Sequence, residues 1–253
     1  TLLLCANADG SEKVPLRAVG ESARPRCLQG VNLGQMPWSY RGAGRAAVTA
    51  PLFTEWLREL NEGARRRGRS ILLLLAEHEA HPYLQLSNVR MVFVPPAACP
   101  ALPLERGIAG DLKGHYRCRL LRWLAAERGA GQPTLLDALH MLAQAWGDVR
   151  PALITSGFRA AGFSPSTAEP PVPGREQPEH RTRMDRELER DGDEGTAEGE
   201  DSGQALARLC PSEREVWGSL ATLRRYLECR ATSPDIFQAF YELEDAVHMV
   251  SAG

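Results

Sequence analysis

Five consecutive aliphatic residues, Ile71 to Leu75, constrain the fold of this chain more than any other feature of its sequence. A strand with one solvated face alternates apolar and polar residues, so an unbroken apolar run of this length indicates a strand buried on both faces of a parallel sheet. A second strand is predicted at Val89 to Val94, where Pro95 and Pro96 end it. The two runs predict an α/β domain.

Helices and turns complete this domain. Two short strands, residues 1–8 and 14–19, flank a turn at Asp9-Gly10, and the Pro- and Gly-rich residues 20–44 are predicted to be loop. A helix is expected from an N-cap at Thr49 to Gly68. From Leu104 to Leu124 apolar residues recur every four positions, which predicts a long helix. Two further helices are expected at 134–146 and 151–160, so that the domain ends near residue 163.

The remaining sequence divides into two parts. Residues 164–205 contain almost no large apolar side chains and are predicted to form an acidic disordered linker. Residues 206–253 contain two amphipathic helices, Val216 to Tyr226 and Ile236 to Val250, which bury too little apolar surface to be stable alone. We therefore expect a helical dimerisation module and a homodimer. The predicted seam consists of Leu223, Leu227, Phe240 and Leu243.

Charge favours a nucleic acid as a partner and gives no sign of a membrane. Residues 1–163 carry 20 Lys and Arg against 13 Asp and Glu, while residues 164–253 carry 10 against 19. A basic face on the long helix is suited to DNA phosphates, although such a face is also found simply solvated. Its candidate DNA contacts are Lys113, Arg117, Arg119 and Arg122. No apolar run reaches the roughly 18 residues that span a bilayer, and no Cys or His spacing predicts a metal site.

Several strings resemble the DDE superfamily endonuclease domain of tigger/pogo transposable element-derived proteins, a group that includes centromere protein B. In chain order they are Leu3 to Lys13, Ile71 to Leu75, Ala80-His81-Pro82, Phe93 to Pro96, Pro103 to Gly107 and Lys113 to Arg117. A second set is similar to the C-terminal dimerisation segment of centromere protein B. Its members are Pro211-Ser212, Arg225-Tyr226-Leu227, Leu243-Glu244 and Val247-His248.

The resemblance implies an RNase H-like fold, a DDE transposase-type mixed sheet in which three carboxylates hold two Mg²⁺ ions for phosphodiester transfer. The family's first Asp lies on a strand that would precede Thr1, so we expect a fragment whose sheet lacks its first strand. Ala76 occupies the position of the second Asp, and Glu105 that of the third. Glu77 would point to the opposite face, and the imidazole of His78 is a poor Mg²⁺ ligand. The catalytic site is therefore predicted to be degenerate, with no metal or other cofactor.

Function follows as an expectation from this resemblance. The chain is expected to be part of a domesticated, transposase-derived nuclear protein that binds DNA and is not an enzyme. Sequence-specific binding is expected from an N-terminal helix-turn-helix region outside these residues, so DNA is a partner mainly of other parts of the protein. Two alternatives stay open: an active metal-dependent DNA endonuclease or transposase, and a chromatin protein-interaction scaffold.

Overall fold

The structure, a computed structural model, describes residues 1–95, 97, 99, 101–127, 132–163 and 211–251. These residues form a mixed α/β fold. Its strands are β1 (Leu2–Leu3), β2 (Arg17–Gly20), β3 (Ser39–Gly42), β4 (Ile71–Ala76) and β5 (Val89–Val94). Its helices are α1 (Ala50–Arg66), α2 (Ile108–Glu127), α3 (Leu135–Asp148), α4 (Pro151–Ala160), α5 (Glu213–Arg230) and α6 (Asp235–Ser251). The acidic linker predicted for residues 164–205 lies outside the described part of the chain.

Two small sheets share these strands. In the first, β1 is antiparallel to β2, and β2 is parallel to β3. In the second, β4 and β5 are parallel, with Ile71 opposite Val89 and Ala76 opposite Val94. Both predicted strands are therefore confirmed, and the first of them lies in a parallel pair, as expected. In the described residues no strand pairing joins the two sheets.

Burial of β4 differs from the prediction. Leu73 and Leu75 are buried under helix α1, where they contact a cluster that includes Phe53 and Leu57. Leu72, in contrast, is 60% exposed. The expectation of burial on both faces is wrong for these residues, because α1 covers only the face that carries Leu73 and Leu75.

Strand β3 lies within residues 20–44, which we predicted to be loop. The glycines that suggested a loop instead allow two backbone segments to lie close together, since a Cβ on Gly42 would lie 2.3 Å from the Cα of Ala23. The hydroxyl of Tyr40 also donates to the Ser22 carbonyl oxygen at 2.7 Å. The predicted turn at Asp9-Gly10 is confirmed, since Gly10 has a φ of 71° and Asp9 Oδ1 accepts from the backbone N–H of Ser11.

Helix α3 connects this first sheet to the helical side of the molecule. It begins with a capping box between Thr134 and Asp137. At its other end the Lys13 ammonium donates to three carbonyl oxygens: Trp146 at 2.7 Å, Gly147 at 2.6 Å and Val149 at 2.9 Å. A cation here satisfies the free carbonyls of a helix C-terminus and opposes the helix dipole.

The two C-terminal helices share a core with the α/β domain. Leu220, Phe237 and Tyr241 belong to the same buried cluster as Trp38 and Leu139. The loop before β3 also completes helix α5, because the Asn32 N–H donates to the Glu228 carbonyl oxygen at 2.8 Å and the Asn32 side chain donates to the Ala231 carbonyl oxygen at 3.4 Å. The apolar face that we predicted to need a partner is therefore covered by the chain's own α/β domain. In the described residues no helix is long and apolar enough to cross a membrane.

Candidate functional site

Ala76 is the last residue of β4, where the strand leaves the sheet. Its carbonyl oxygen lies 2.9 Å from Nδ1 of His81, whose ring packs on Phe53 at a centroid distance of 4.3 Å. His78 Nδ1 accepts from the backbone N–H of Ala80 at 3.0 Å. The segment after β4 is thus held by its two imidazoles, which form hydrogen bonds within the turn.

Glu105 closes a short 3₁₀ helix, Pro103–Glu105, just before α2. Its exposed carboxylate accepts from the backbone N–H of Leu102 at 2.8 Å. An acidic side chain at this position satisfies a free N–H at the start of a helical segment. Across the described ranges no group of three or more His, Cys, Asp or Glu side chains is placed to hold a metal ion.

The four basic side chains of α2 lie on two sides of the helix and in two different situations. Lys113, Arg117 and Arg122 are exposed. Arg119 is only 12% exposed, and two carboxylates hold its guanidinium. Asp148 accepts from Nε at 3.1 Å and from Nη2 at 2.8 Å, while Asp245 accepts from Nη1 at 2.9 Å and from Nη2 at 3.0 Å. Three of the predicted DNA contacts are therefore open to solvent, and the fourth is held inside the protein.

The pKa of Arg119 depends on its pairing with Asp148 and Asp245. Burial alone would lower the pKa of Arg119, because desolvation disfavours the charged form. The hydrogen bonds that Arg119 donates to Asp245 and Asp148 outweigh desolvation, so that the pKa of Arg119 lies above its ordinary value. No sequence pattern predicted this arrangement, since Asp245 lies far along the chain on α6.

A buried polar network that the sequence analysis missed joins α3 to the C-terminal helices. Nδ1 of His140 lies 2.6 Å from the Tyr241 hydroxyl, and Nε2 lies 3.1 Å from Oε1 of Glu228. One turn further along α3, Gln144 donates to Glu244 at 3.1 Å. Burial raises the pKa of Tyr241 well above its usual range. The available signal was a His and a Gln four residues apart on the apolar face of a predicted helix.

The predicted dimerisation residues also fall into two groups. Leu223 and Leu243 are 40% and 45% exposed on the outer side of the helix pair. Phe240 is buried in the shared core, and Leu227 packs against that core. A dimer seam that used Phe240 would require the helix pair to leave the α/β domain, so Phe240 cannot serve in the arrangement described here.

Comparison with known proteins identifies one relative of nearly the whole chain and others that match about two thirds of it. Residues 1–158 match the DDE superfamily endonuclease family. The chain is 33% identical to mouse Tigger transposable element-derived protein 3 over 98% of its own length and 58% of the relative's. It is 38% identical to human major centromere autoantigen B over 64% of its length and 27% of the relative's. ARS-binding protein 1 of Schizosaccharomyces pombe is 28% identical over 64% of this chain and 34% of the relative. No solved structure matches.

These relatives confirm the resemblance from which the functional expectations were drawn. The chain spans 58% of the length of the tigger relative, and 27% and 34% of the lengths of the other two.

Proposed function

We propose, given that this chain belongs to the DDE superfamily endonuclease family, that it is part of a domesticated, transposase-derived nuclear protein that binds DNA without cutting it. The observation that carries the proposal is Ala76 at the end of β4. The resemblance aligns this position with one of three metal-binding carboxylates, and a methyl group cannot ligate Mg²⁺. Glu105, aligned with another, already accepts from a backbone N–H.

DNA association is supported by the relatives and by charge. One relative is an ARS-binding protein by name. Lys113 and Arg117 lie one turn apart on the exposed face of α2, at the spacing from which two neighbouring cations contact one phosphate backbone. Sequence-specific recognition belongs, in this proposal, to a helix-turn-helix region outside these residues.

A nuclease assay tests the loss of catalysis. The chain, alone and as part of the longer protein, is incubated with plasmid DNA and Mg²⁺ or Mn²⁺. We expect no nicking or linearisation, because a two-metal site that lacks a ligand cannot stabilise both the attacking and the leaving oxygen. Metal-dependent cleavage that disappears in Glu105→Ala would overturn the proposal.

A DNA titration tests the binding face of α2. Replacing Lys113 and Arg117 together by Gln removes two candidate phosphate contacts, so the slope of log affinity against log salt should fall by about 0.9 for each. Arg90→Gln is the matched control, since Arg90 is exposed on β5, away from α2. An unchanged slope in the double variant, or an equal change in the control, would remove α2 from the binding surface.

Nuclear localisation is tested by imaging the tagged longer protein in cells. Exclusion of the tagged protein from the nucleus would contradict this part of the proposal.

The RNase H-like arrangement of the two sheets is part of the same proposal. Leu3 and Cys5, on and next to β1, pack against the cluster that buries β4. In the described residues β1 and β4 each have one edge without a strand partner. One further strand between them would join the two sheets into a single mixed sheet. A longer protein that supplies this strand should unfold in a sharper transition than the present chain, and equal cooperativity would count against the arrangement.

The last part of the proposed function is that the chain forms a homodimer through the outer side of the helix pair. Leu223 and Leu243 are exposed apolar side chains on adjacent helices. We expect the chain to sediment as a dimer and the paired replacement of both by Lys to yield a monomer of unchanged helicity. Arg225→Lys, on the same helix and also exposed, serves as the control. A wild-type chain that stays monomeric at high concentration would refute this part alone.

A further inference from the structure

The interface between the helix pair α5–α6 and helices α2 and α3 is polar at its centre. In the part of the chain that the structure describes, five polar or charged residues are buried, and four of them lie in this interface. These four are His140, Gln144, Glu228 and Glu244. Apolar groups dominate contacts that never open, whereas interfaces between separable parts of a chain are more polar. The interface thus combines these polar groups with buried apolar side chains such as Leu220 and Phe237, and separation would expose both kinds of surface.

Packing along this interface leaves a crevice. A partly open cavity of about 130 Å³ lies between α2, α3, α5 and α6. Its lining includes Arg119, Arg122, Trp123, Trp217, Asp245 and His248. Protein cores rarely contain voids larger than a water molecule. The crevice therefore brings solvent to the ion pair between Arg119 and Asp245, at the edge of the interface.

Charge complementarity holds the two surfaces together. Helix α6 contains four acidic residues and no Lys or Arg, while α2 places Arg119 and Arg122 on the side that borders the crevice. Both oxygens of Asp245 accept hydrogen bonds from the Arg119 guanidinium, at 2.9 and 3.0 Å. A bidentate carboxylate uses the same planar set of N–H donors that guanidinium offers to a phosphate. While α6 is docked, Arg119 has no pair of donors left for DNA.

We propose that the helix pair α5–α6 is a releasable acidic cover on α2, and that α6 and the DNA backbone are alternative partners of Arg119. This inference rests on the proposed DNA contact by α2. Binding of DNA to α2 then favours release of the helix pair, and loosening of the helix pair strengthens DNA binding, since coupling between two binding equilibria is reciprocal.

Two variants of the full chain with the same charge change test the proposal. Asp245→Asn removes the α6 carboxylate that holds Arg119 and leaves the hydrogen bonds to Asp148 in place. Glu242→Gln is the matched control, because Glu242 is exposed on the same helix and, among the described residues, accepts a hydrogen bond from Gln238 alone. Affinity for a short duplex of random sequence is measured by fluorescence anisotropy at several salt concentrations. Backbone hydrogen exchange of residues 213–251 is measured in parallel, with and without the duplex.

The expected result is specific to the covered arginine. Asp245→Asn should steepen the slope of log affinity against log salt by about 0.9 and raise affinity by up to about eightfold at 0.1 M salt, the effect of one additional phosphate contact. It should also speed exchange in α5 and α6, and the duplex should do the same in the wild-type chain. Glu242→Gln should leave slope and exchange unchanged. Adding Arg119→Gln to Asp245→Asn should remove the gain.

Three results would overturn the inference. Equal slopes for Asp245→Asn and Glu242→Gln, with DNA binding present in both, would refute the cover and leave the DNA contact by α2 intact. Retention of the gain in the double variant would exclude Arg119 as the released group. If no variant binds the duplex at any salt concentration, the proposed DNA contact by α2 fails, and the competition with DNA fails with it.

Discussion

Replacing Lys13 by Met removes the ammonium that closes the C-terminus of α3. The three carbonyl oxygens that it bonds, at 2.6 to 2.9 Å, then lose a charged donor. A hydrogen bond to a charged group contributes about 1.5–3 kcal/mol. Two of the three bonds are only partly buried and the third is exposed, so water replaces part of the loss. Met preserves the aliphatic length of the side chain. We therefore expect the free energy of unfolding to fall by about 2 kcal/mol.

Urea denaturation followed by tryptophan fluorescence measures this change, with an unchanged dependence on urea as the sign that the folded state is intact. Lys113→Met is the control, because Lys113 is exposed on α2 and should shift stability by less than about 0.5 kcal/mol. If the two variants differ by less than that amount, the role of Lys13 in holding α3 to the first sheet is refuted.

Two further predictions concern the first sheet. Gly42→Ala should lower the free energy of unfolding by about 2 kcal/mol or more, because the new Cβ would lie 2.3 Å from a backbone atom. Gly44→Ala is the control and should be nearly neutral, because no atom lies within 4 Å of the position of its Cβ. Similar melting temperatures for the two variants would contradict the close approach at Gly42. Burial raises the pKa of the Cys5 thiol from 9.0 to about 11. The folded state therefore retains a proton that the unfolded chain loses, so the contribution of this thiol to stability should be complete below about pH 9 and fall by about 2–3 kcal/mol towards pH 11. Cys5→Ala should remove this contribution and leave the loss that the buried Tyr241, whose pKa is also raised, adds above about pH 10. At neutral pH an alkylating reagent should label the exposed Cys118 and spare Cys5; equal labelling would contradict this burial.

Local patterns predicted the elements that local physics determines. The apolar run at Ile71 to Leu75 becomes β4, and the turn at Asp9-Gly10 needs only a left-handed glycine and an Asp that accepts a backbone N–H. The helix whose N-cap was predicted at Thr49 begins at Ala50, with Thr49 as its N-cap. The long helix starts at Ile108 and not at Leu104, because a 3₁₀ segment and Gly107 come first.

Features that depend on distant contacts were not predictable. Hydrophobic periodicity shows that α5 and α6 have an apolar face, but not whether a second chain or the same chain covers it. From the sequence, Arg119 is expected to be an unpaired cation, and only the tertiary structure brings Asp245 next to it. Strand β3 was not predicted, because Gly42 indicates a loop when it is considered alone. In the fold this glycine is required because another backbone segment approaches it closely.

The docking of α5 and α6 onto the same core as α4 has a consequence for residues 164–210. Both ends of this segment are attached to one folded unit, so it is a closed loop in covalent terms. The entropy of closing a loop grows only with the logarithm of its length, and a doubling costs about 0.6 kcal/mol. Insertions there should leave the fold nearly unaffected. The length of the connection also sets the effective concentration of a released helix pair near α2, which falls as the connection is lengthened. Lengthening this loop should thus weaken the cover on Arg119 while the melting temperature hardly moves.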